Sequence, residues 1–212
     1  MSLIPLFPLQ LVLFPGDKLP LHIFEPRYKD MVKECLELNL PFGIVSFIDK
    51  QVSKVGTFAS IVRVETEYDD GRLDIVTRGS DRFMTRSYSH SRTFLQGSVT
   101  SFNDEQQLSP QDADLLAQVL SQFEELAELA KLRFENPALA NPKNAFGFGH
   151  IIGFDLAQKQ NLLEIKSETE RLQYVLEHIK RSIPRLKGFQ DTRDLIKSNG
   201  HFREFPPLDF NI

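Results

Sequence analysis

The stretch LPLHIFEPRYKDMV, residues 19–32, changes from a strand pattern to a helical pattern within a few residues. Leu19 to Phe24 is a short segment rich in large apolar residues, which predicts a strand. Pro26 stands where the first helical residue is expected, because its fixed φ and missing N–H suit that position. Apolar residues then recur at helical spacing, namely Tyr28, Met31, Val32, Cys35 and Leu36. The stretch therefore predicts a corner at which a sheet passes into a helix.

The composition is that of an ordinary globular protein. The chain has 212 residues, of which 41% are hydrophobic and 25% charged, enough for one large domain or two small ones. Its net charge of −4 disfavours nucleic acid as the main partner, since phosphate binding requires a basic surface.

Two features of the sequence bear on the cellular compartment: the number of cysteines and the length of its apolar runs. The single cysteine, Cys35, excludes an intrachain disulfide and fits a reducing environment. The sequence contains no run of about 20 apolar residues, the length that a membrane-spanning helix needs, and its start lacks the basic region of a signal peptide. We therefore expect a cytoplasmic protein without a membrane partner.

The first half of the chain has the pattern of a sheet with one early helix. Segments that predict strands are 3–13, 19–24, 42–48, 56–67, 72–77, 83–88 and 94–102. The prolines of segment 3–13 favour an edge strand, and Asp69-Asp70-Gly71 favours a hairpin turn. Many short strands with one helix predict a curled mixed sheet or a small barrel.

The second half changes to helical periodicity. Ser109-Pro110 has the pattern of a helix start, and Ser167 with Glu170 forms a capping-box pattern before another helix. We therefore divide the chain into a β unit at 1–106, a helical unit at 107–188 and an aromatic-containing tail at 189–212. The tail carries FREFPPLDFNI, and we expect it to pack on the same molecule or to join two copies, because so much apolar surface favours association.

Catalytic motifs are missing from the sequence. It contains no phosphate-binding loop, no G-x-S-x-G and no H-E-x-x-H. Residues 147–153, GFGHIIG, have the wrong glycine spacing for a dinucleotide site. Cys35 lies on an apolar helical stripe and is expected to be a buried hydrophobe. We predict no catalytic residue, no metal site and no cofactor; a zinc site built from residues far apart in sequence stays open.

Three blocks resemble a known family. The segments are PLFPLQLVLFPGDKLPLHIFEPRYKDMV (5–32), VGTFASIVRVETEYDDGRLDIVTRGSDRF (55–83) and FDLAQKQNLLEIKSETERLQYVLEHI (154–179). They are similar, in order and spacing, to the Lon protease N-terminal or substrate-binding domain, and the likeness spans about residues 3–187. The resemblance implies an α+β fold, in which a PUA-like mixed β-barrel with one early helix precedes an α-helical bundle. It also implies recognition of unfolded or damaged polypeptide.

The resemblance does not include an enzymatic module. Full-length Lon carries an ATPase module and a serine–lysine protease module after this domain, and this sequence contains neither pattern. We therefore expect a stand-alone, non-catalytic peptide- or protein-recognition module. A role as an adaptor in protein quality control, beside a separate protease or ATPase, would fit this expectation.

The segment IFEPRY allows a structural and a functional interpretation. Structurally, Pro26 starts the helix, Phe24 and Tyr28 pack beneath it, and Glu25 and Arg27 pair with each other or with backbone groups; we favour this. Functionally, exposed aromatic and arginine side chains are typical of binding surfaces. The candidate partner-binding residues are Phe24, Glu25, Arg27, Tyr28, Arg78 and Arg82. We expect apolar partner side chains to enter a groove between barrel and bundle.

Arg78, Arg82 and Arg86 carry the alternative function. Their spacing of four places them on one face of a regular strand, beside Phe83 and Tyr88. Arginines interleaved with aromatic residues hold RNA bases in several proteins, so an RNA- or small-ligand-binding PUA-like protein is the alternative. A solvated strand face is the interpretation that we favour for these residues.

Overall fold

The protein has an α+β fold in which a closed barrel precedes a set of helices. The computed structural model describes residues 3–105, 110–134 and 137–200, without the side chains of 110–111, 137–138 and 190–200. The strands are β1 (Leu3–Leu9), β2 (Lys18–Ile23), β3 (Phe42–Ile48), β4 (Gln51–Glu67), β5 (Leu73–Ser89) and β6 (Gln96–Ser101). The helices are α1 (Pro26–Leu38), α2 (Pro110–Ala130), α3 (Pro137–Ala140), α4 (Leu156–Glu164) and α5 (Glu168–Gly200), with a 3-10 turn at Ala145–Phe148.

Strand pairing closes the sheet into a barrel. The order is β2-β5-β4-β3-β1-β6, and a further pairing joins β5 to β6. The ring therefore consists of β5, β4, β3, β1 and β6, while β2 pairs with the first half of β5 outside it. Neighbours are antiparallel except β1 and β3, which are parallel. The predicted α+β class with a mixed barrel and one early helix is confirmed.

β5 is one strand of 17 residues, whereas the sequence predicted two strands separated near Gly79. The turn at residues 14–17 lies directly on Gly79, where an added Cβ would come within 2.5 Å of the Phe14 carbonyl oxygen. The Gly79 N–H donates to the Asp17 carbonyl at 2.9 Å, and its carbonyl accepts from Gly16 N at 2.9 Å. Glycine therefore allows the turn to pack on the strand without interrupting it.

β1 lies inside the sheet, so the predicted edge position was wrong. Its first residues, Leu3 to Pro5, pair with β6, while Leu6 to Leu9 pair with β3. Each half of the strand thus has one paired neighbour in the ladder, and this leaves room for prolines that a strand paired on both sides throughout would not tolerate.

The corner at residues 19–32 forms as predicted in its backbone. α1 starts at Pro26 and ends at Leu38, and the left-handed backbone of Asn39 (φ 50°, ψ 44°) caps it. Tyr28, Met31, Val32 and Cys35 are buried, and they pack against the inner side chains of β2, β3 and β5. Leu36, the last member of the predicted stripe, is 41% exposed.

A shared apolar cluster joins the barrel to the helices. Barrel-side Val12, Phe14, Val55 and Phe102 belong to the same buried cluster as the inner side chains of α2, α4 and α5. β6 ends at Ser101 and α2 begins at Pro110, on either side of the boundary drawn at 106. α5 continues to Gly200, past the expected end of the helical unit at 188, and residues 201–212 of the tail lie outside the described part.

Candidate functional site

Glu25 and Arg27 pair with each other at the corner. The Glu25 carboxylate accepts from Arg27 Nε at 2.9 Å and Nη2 at 2.6 Å, while the Glu25 carbonyl accepts from Tyr28 N at 3.0 Å. Both side chains are exposed, and an exposed ion pair contributes little to stability. Of the two alternatives expected, pairing with each other or with backbone groups, the structure has the mutual ion pair, which keeps both charges on the surface.

Phe24 does not pack beneath α1, contrary to the structural interpretation of this segment. It is 59% exposed, whereas Tyr28 is 8% exposed and stacks on Phe7 with ring centroids 4.0 Å apart. The reason lies in strand geometry: successive residues point to opposite faces, so that Ile23 enters the core and Phe24 turns outward. Tyr28 is consequently a core residue and Phe24 a surface residue.

Phe24 belongs to an aromatic surface, a name we use for His22, Phe24, Tyr68 and Asp74. The His22 ring stacks on Phe24 at 5.9 Å and meets Tyr68 edge-on at 6.0 Å. The Asp74 carboxylate accepts from Tyr68 Oη at 2.7 Å and lies 2.6 Å from His22 Nδ1. Two hydrogen bonds to one carboxylate therefore hold two of the rings in place.

The hydrogen bonds to the Asp74 carboxylate also shift the pKa values of Asp74 and Tyr68. The hydrogen bond from His22, followed by that from Tyr68, lowers the pKa of Asp74. The hydrogen bond to Asp74 in turn raises the pKa of Tyr68. Arg72 lies over the Tyr68 ring, with Cζ 4.7 Å from the centroid. Charged side chains that these contacts hold in place, Asp74 and Arg72, therefore lie beside the rings of the aromatic surface.

Strand register places Arg78 away from this surface. Within the β2–β5 ladder His22 faces Asp74, and Lys18 faces Arg78 at the other end. Five residues of strand separate Lys18 from Ile23, or roughly 17 Å. Arg78 is exposed, so it lies on the same sheet as Phe24 but at the opposite end.

Arg82 is buried, so it is not available to a surface-bound partner in this structure. Its Nη1 donates to the carbonyls of Leu163 at 2.6 Å and Ile165 at 2.7 Å, and Nη2 pairs with Asp104. Asp104 also accepts from Arg171 at 2.6 Å. Burial opposes ionisation of Asp104, but the hydrogen bonds and charges of Arg171 and Arg82 hold its pKa below the usual value. This cluster fastens the barrel to the loop between α4 and α5.

The arginine face proposed for RNA is not formed. Arg78 and Arg86 are exposed while Arg82 points inward, because β5 carries an extra residue on each side of Arg82. One lies between Gly79 and Arg82 in the pairing with β4, and the other lies between Thr85 and Ser87 in the pairing with β6. An added residue reverses the side-chain faces beyond it. A spacing of four places side chains on one face only in a regular strand, and these two bulges make β5 irregular here.

Grooves at the surface differ from the expected cleft between barrel and bundle. A groove of about 520 Å³ does lie between α4 and the β3–β4 turn, but polar residues such as Gln51, Lys54 and Asn161 line much of it. A more apolar groove of about 560 Å³ lies between α2 and α5, lined by Leu126, Leu186 and Phe189 among others. This more apolar groove therefore lies within the helical unit and not between barrel and bundle.

The sequence did not predict three members of the aromatic surface, namely His22, Tyr68 and Asp74. His22 and Asp74 are 52 positions apart, and only the strand register brings them together. The Asp-Asp-Gly turn that follows Tyr68 predicted a hairpin, which was the one signal near them. In the described part of the chain no cluster of His, Cys, Asp or Glu could hold a metal ion, and no described helix is long and apolar enough to cross a bilayer.

Solved structures share this architecture. The structure of a Lon N-terminal domain protein from Xanthomonas campestris is 25% identical and superposes with a TM-score of 0.63, covering 84% of this chain and 98% of its own. The N terminal domain of the Mycobacterium avium complex Lon protease is 18% identical with a TM-score of 0.65, again covering 84% and 98%; at that identity it shows the fold alone.

Curated relatives are longer than this chain. Lon protease 2 of Syntrophobacter fumaroxidans is 23% identical over 201 residues, and Lon protease of Cytophaga hutchinsonii is 27% identical over 207 residues. These alignments cover 89% and 88% of this chain, which spans 25% of the length of either relative. The family model of the ATP-dependent protease La (LON) substrate-binding domain matches residues 3–181. This chain therefore belongs to the Lon substrate-binding domain family.

Proposed function

We propose that this chain recognises apolar segments of unfolded or damaged polypeptides, and that it does so without chemistry of its own. The observation that carries the proposal is Phe24, a large aromatic side chain 59% exposed within a surface held by Asp74. Aromatic and arginine side chains supply most of the energy at binding surfaces. A preorganised aromatic surface beside Arg27 and Arg72 suits that role.

Arg78 extends the contact along the sheet. An extended polypeptide covers about 3.3 Å per residue, so a segment of about five or six residues reaches from Phe24 to Arg78. Apolar side chains of the segment meet Phe24 and Tyr68, while Arg78 pairs with an acidic group or a carbonyl. Glu25 and Arg27 border the same end and orient the segment.

The biological setting follows from the relatives. Their names are those of Lon proteases, and the matched family is a substrate-binding domain. We propose that this chain presents polypeptides to a protease or an ATPase in the cytoplasm, as an adaptor in protein quality control.

The test measures binding to a reduced and alkylated protein that cannot refold, with its native form as reference. We expect the unfolded form to bind and the native form not to bind. Phe24→Ala should weaken binding roughly tenfold, the effect of losing about 1.4 kcal/mol at a hot spot. Tyr88→Ala is the matched control, since Tyr88 is 41% exposed on β5 outside the aromatic surface. Equal binding by wild type and Phe24→Ala would contradict the assigned surface.

RNA binding is the weaker alternative. The face that supported it required Arg82 beside Arg78, and Arg82 is 6% exposed. The net charge of −4 also opposes phosphate binding. We therefore favour polypeptide over RNA as the partner.

A further inference from the structure

The outer half of β4 has a free edge. Pairing between β3 and β4 stops at Phe42 and Ala59, while pairing between β4 and β5 continues to Glu67 and Leu73. Within the described part of the chain, residues 60–67 therefore have a strand on one side only. A free edge exposes backbone N–H and C=O groups that favour pairing with another strand.

Two apolar side chains are exposed along this edge. Val62 is 51% exposed and Val64 is 40% exposed. Val64 also lines a groove of about 440 Å³ with Leu36 of α1, which is itself 41% exposed. A strand added to the edge would cover this aliphatic surface.

Charge along the edge is self-complementary. In an antiparallel pairing of two copies centred on Val64, Arg63 of one copy lies opposite Glu65 of the other, and Val64 lies opposite Val64. Such a pairing creates two Arg–Glu contacts across one two-fold axis, which is the arrangement of an isologous dimer. Arg63 Nη2 and Glu65 Oε1 lie 2.5 Å apart within one chain, so both side chains already share a face, as the pairing requires.

We propose that two copies of this chain associate through antiparallel pairing of the 60–67 edge of β4, with the two-fold axis at Val64. The β4–β5 register shifts between Ile61 and Arg63 and again between Val64 and Thr66. Such bulges twist an edge and shorten its regular part. The dimer is therefore small in area and depends on concentration.

The pairing has a consequence for recognition. Tyr68 of one copy lies next to position 60 of the second copy in register, so the two Tyr68 residues are roughly 27 Å apart along the strands. Each dimer carries two aromatic surfaces, and an unfolded polypeptide with two apolar segments engages both, with a gain in avidity.

A charge-exchange experiment tests the pairing. Arg63→Glu places acidic residues at both facing positions, 63 and 65, and Glu65→Arg places basic residues at both. Each variant alone sets like charges opposite each other and should weaken dimerisation roughly tenfold. An equimolar mixture of the two restores both Arg–Glu contacts, so it should associate as tightly as wild type. Sedimentation velocity over a wide concentration series measures all three.

Arg27→Glu is the matched control, because Arg27 also pairs with an acidic residue two positions away and is similarly exposed. It should dimerise like wild type. Recovery in the mixture excludes misfolding of the single variants as the cause of their loss. A wild-type protein that stays monomeric, or a mixture as weak as its components, would overturn the proposal; association through the tail would leave both single variants unchanged and would overturn it equally.

Discussion

The guanidinium of Arg82 is buried among hydrogen-bond acceptors, whereas Arg78 and Arg86 of the same strand are exposed. It donates to two carbonyls of the α4–α5 loop and pairs with Asp104. We expect Arg82→Met to lower the free energy of unfolding by about 2–4 kcal/mol, since it removes donors from buried acceptors while Asp104 keeps Arg171. Urea denaturation followed by far-UV circular dichroism measures the change.

Arg78→Met is the control for this substitution. Arg78 is exposed on the same strand, so the same change should alter the free energy of unfolding by no more than about 0.5 kcal/mol. Similar losses in the two variants would show that Arg82 contributes no more than a surface arginine.

At the scale of an element, α1 protects the thiol of Cys35. Burial, with a smaller contribution from Glu34, raises its pKa to about 11, whereas an unfolded cysteine has a pKa of about 8.5. The thiolate is the reactive form. At pH 8 we therefore expect a thiol reagent to label the native protein slowly, faster as pH rises, and rapidly in urea.

Leu36→Cys in a Cys35→Ala background serves as the reference for labelling. Leu36 follows Cys35 on α1 and is 41% exposed, so its thiol should react quickly at pH 8 in the folded protein. If native Cys35 reacts equally fast, α1 does not protect the thiol, and this result contradicts the burial of Cys35 against β2, β3 and β5.

At the scale of the whole molecule, barrel and helices share one apolar cluster. Phe14 comes from the barrel side, is fully buried and stacks on Phe146 with centroids 5.4 Å apart. We expect the two units to unfold together, because neither can expose this cluster alone. Phe14→Ala should cost about 3–5 kcal/mol and should shift two urea transitions equally: Cys35 labelling and the helical circular dichroism signal. Separate transitions would contradict this.

Local signals in the sequence predicted local structure well. Pro26, the apolar stripe of α1 and the Asp-Asp-Gly turn act over a few residues, so helix start, buried face and hairpin could be predicted from them. The position of β1 could not, since it depends on which strands pair with each half. The continuity of β5 through residues 78–82 could not be predicted either, because the contact of Gly79 with Phe14 is a tertiary one.

Some features of the candidate site could likewise be predicted from the sequence, and others could not. By itself the sequence determined the corner, the change from strand to helical pattern along the chain, and the family. Tertiary structure alone decided that Phe24 faces solvent with His22 and Tyr68, and that Arg82 faces inward. The physical reason is register: one bulge or one pairing between strands that are distant in the chain chooses the face on which every later side chain lies.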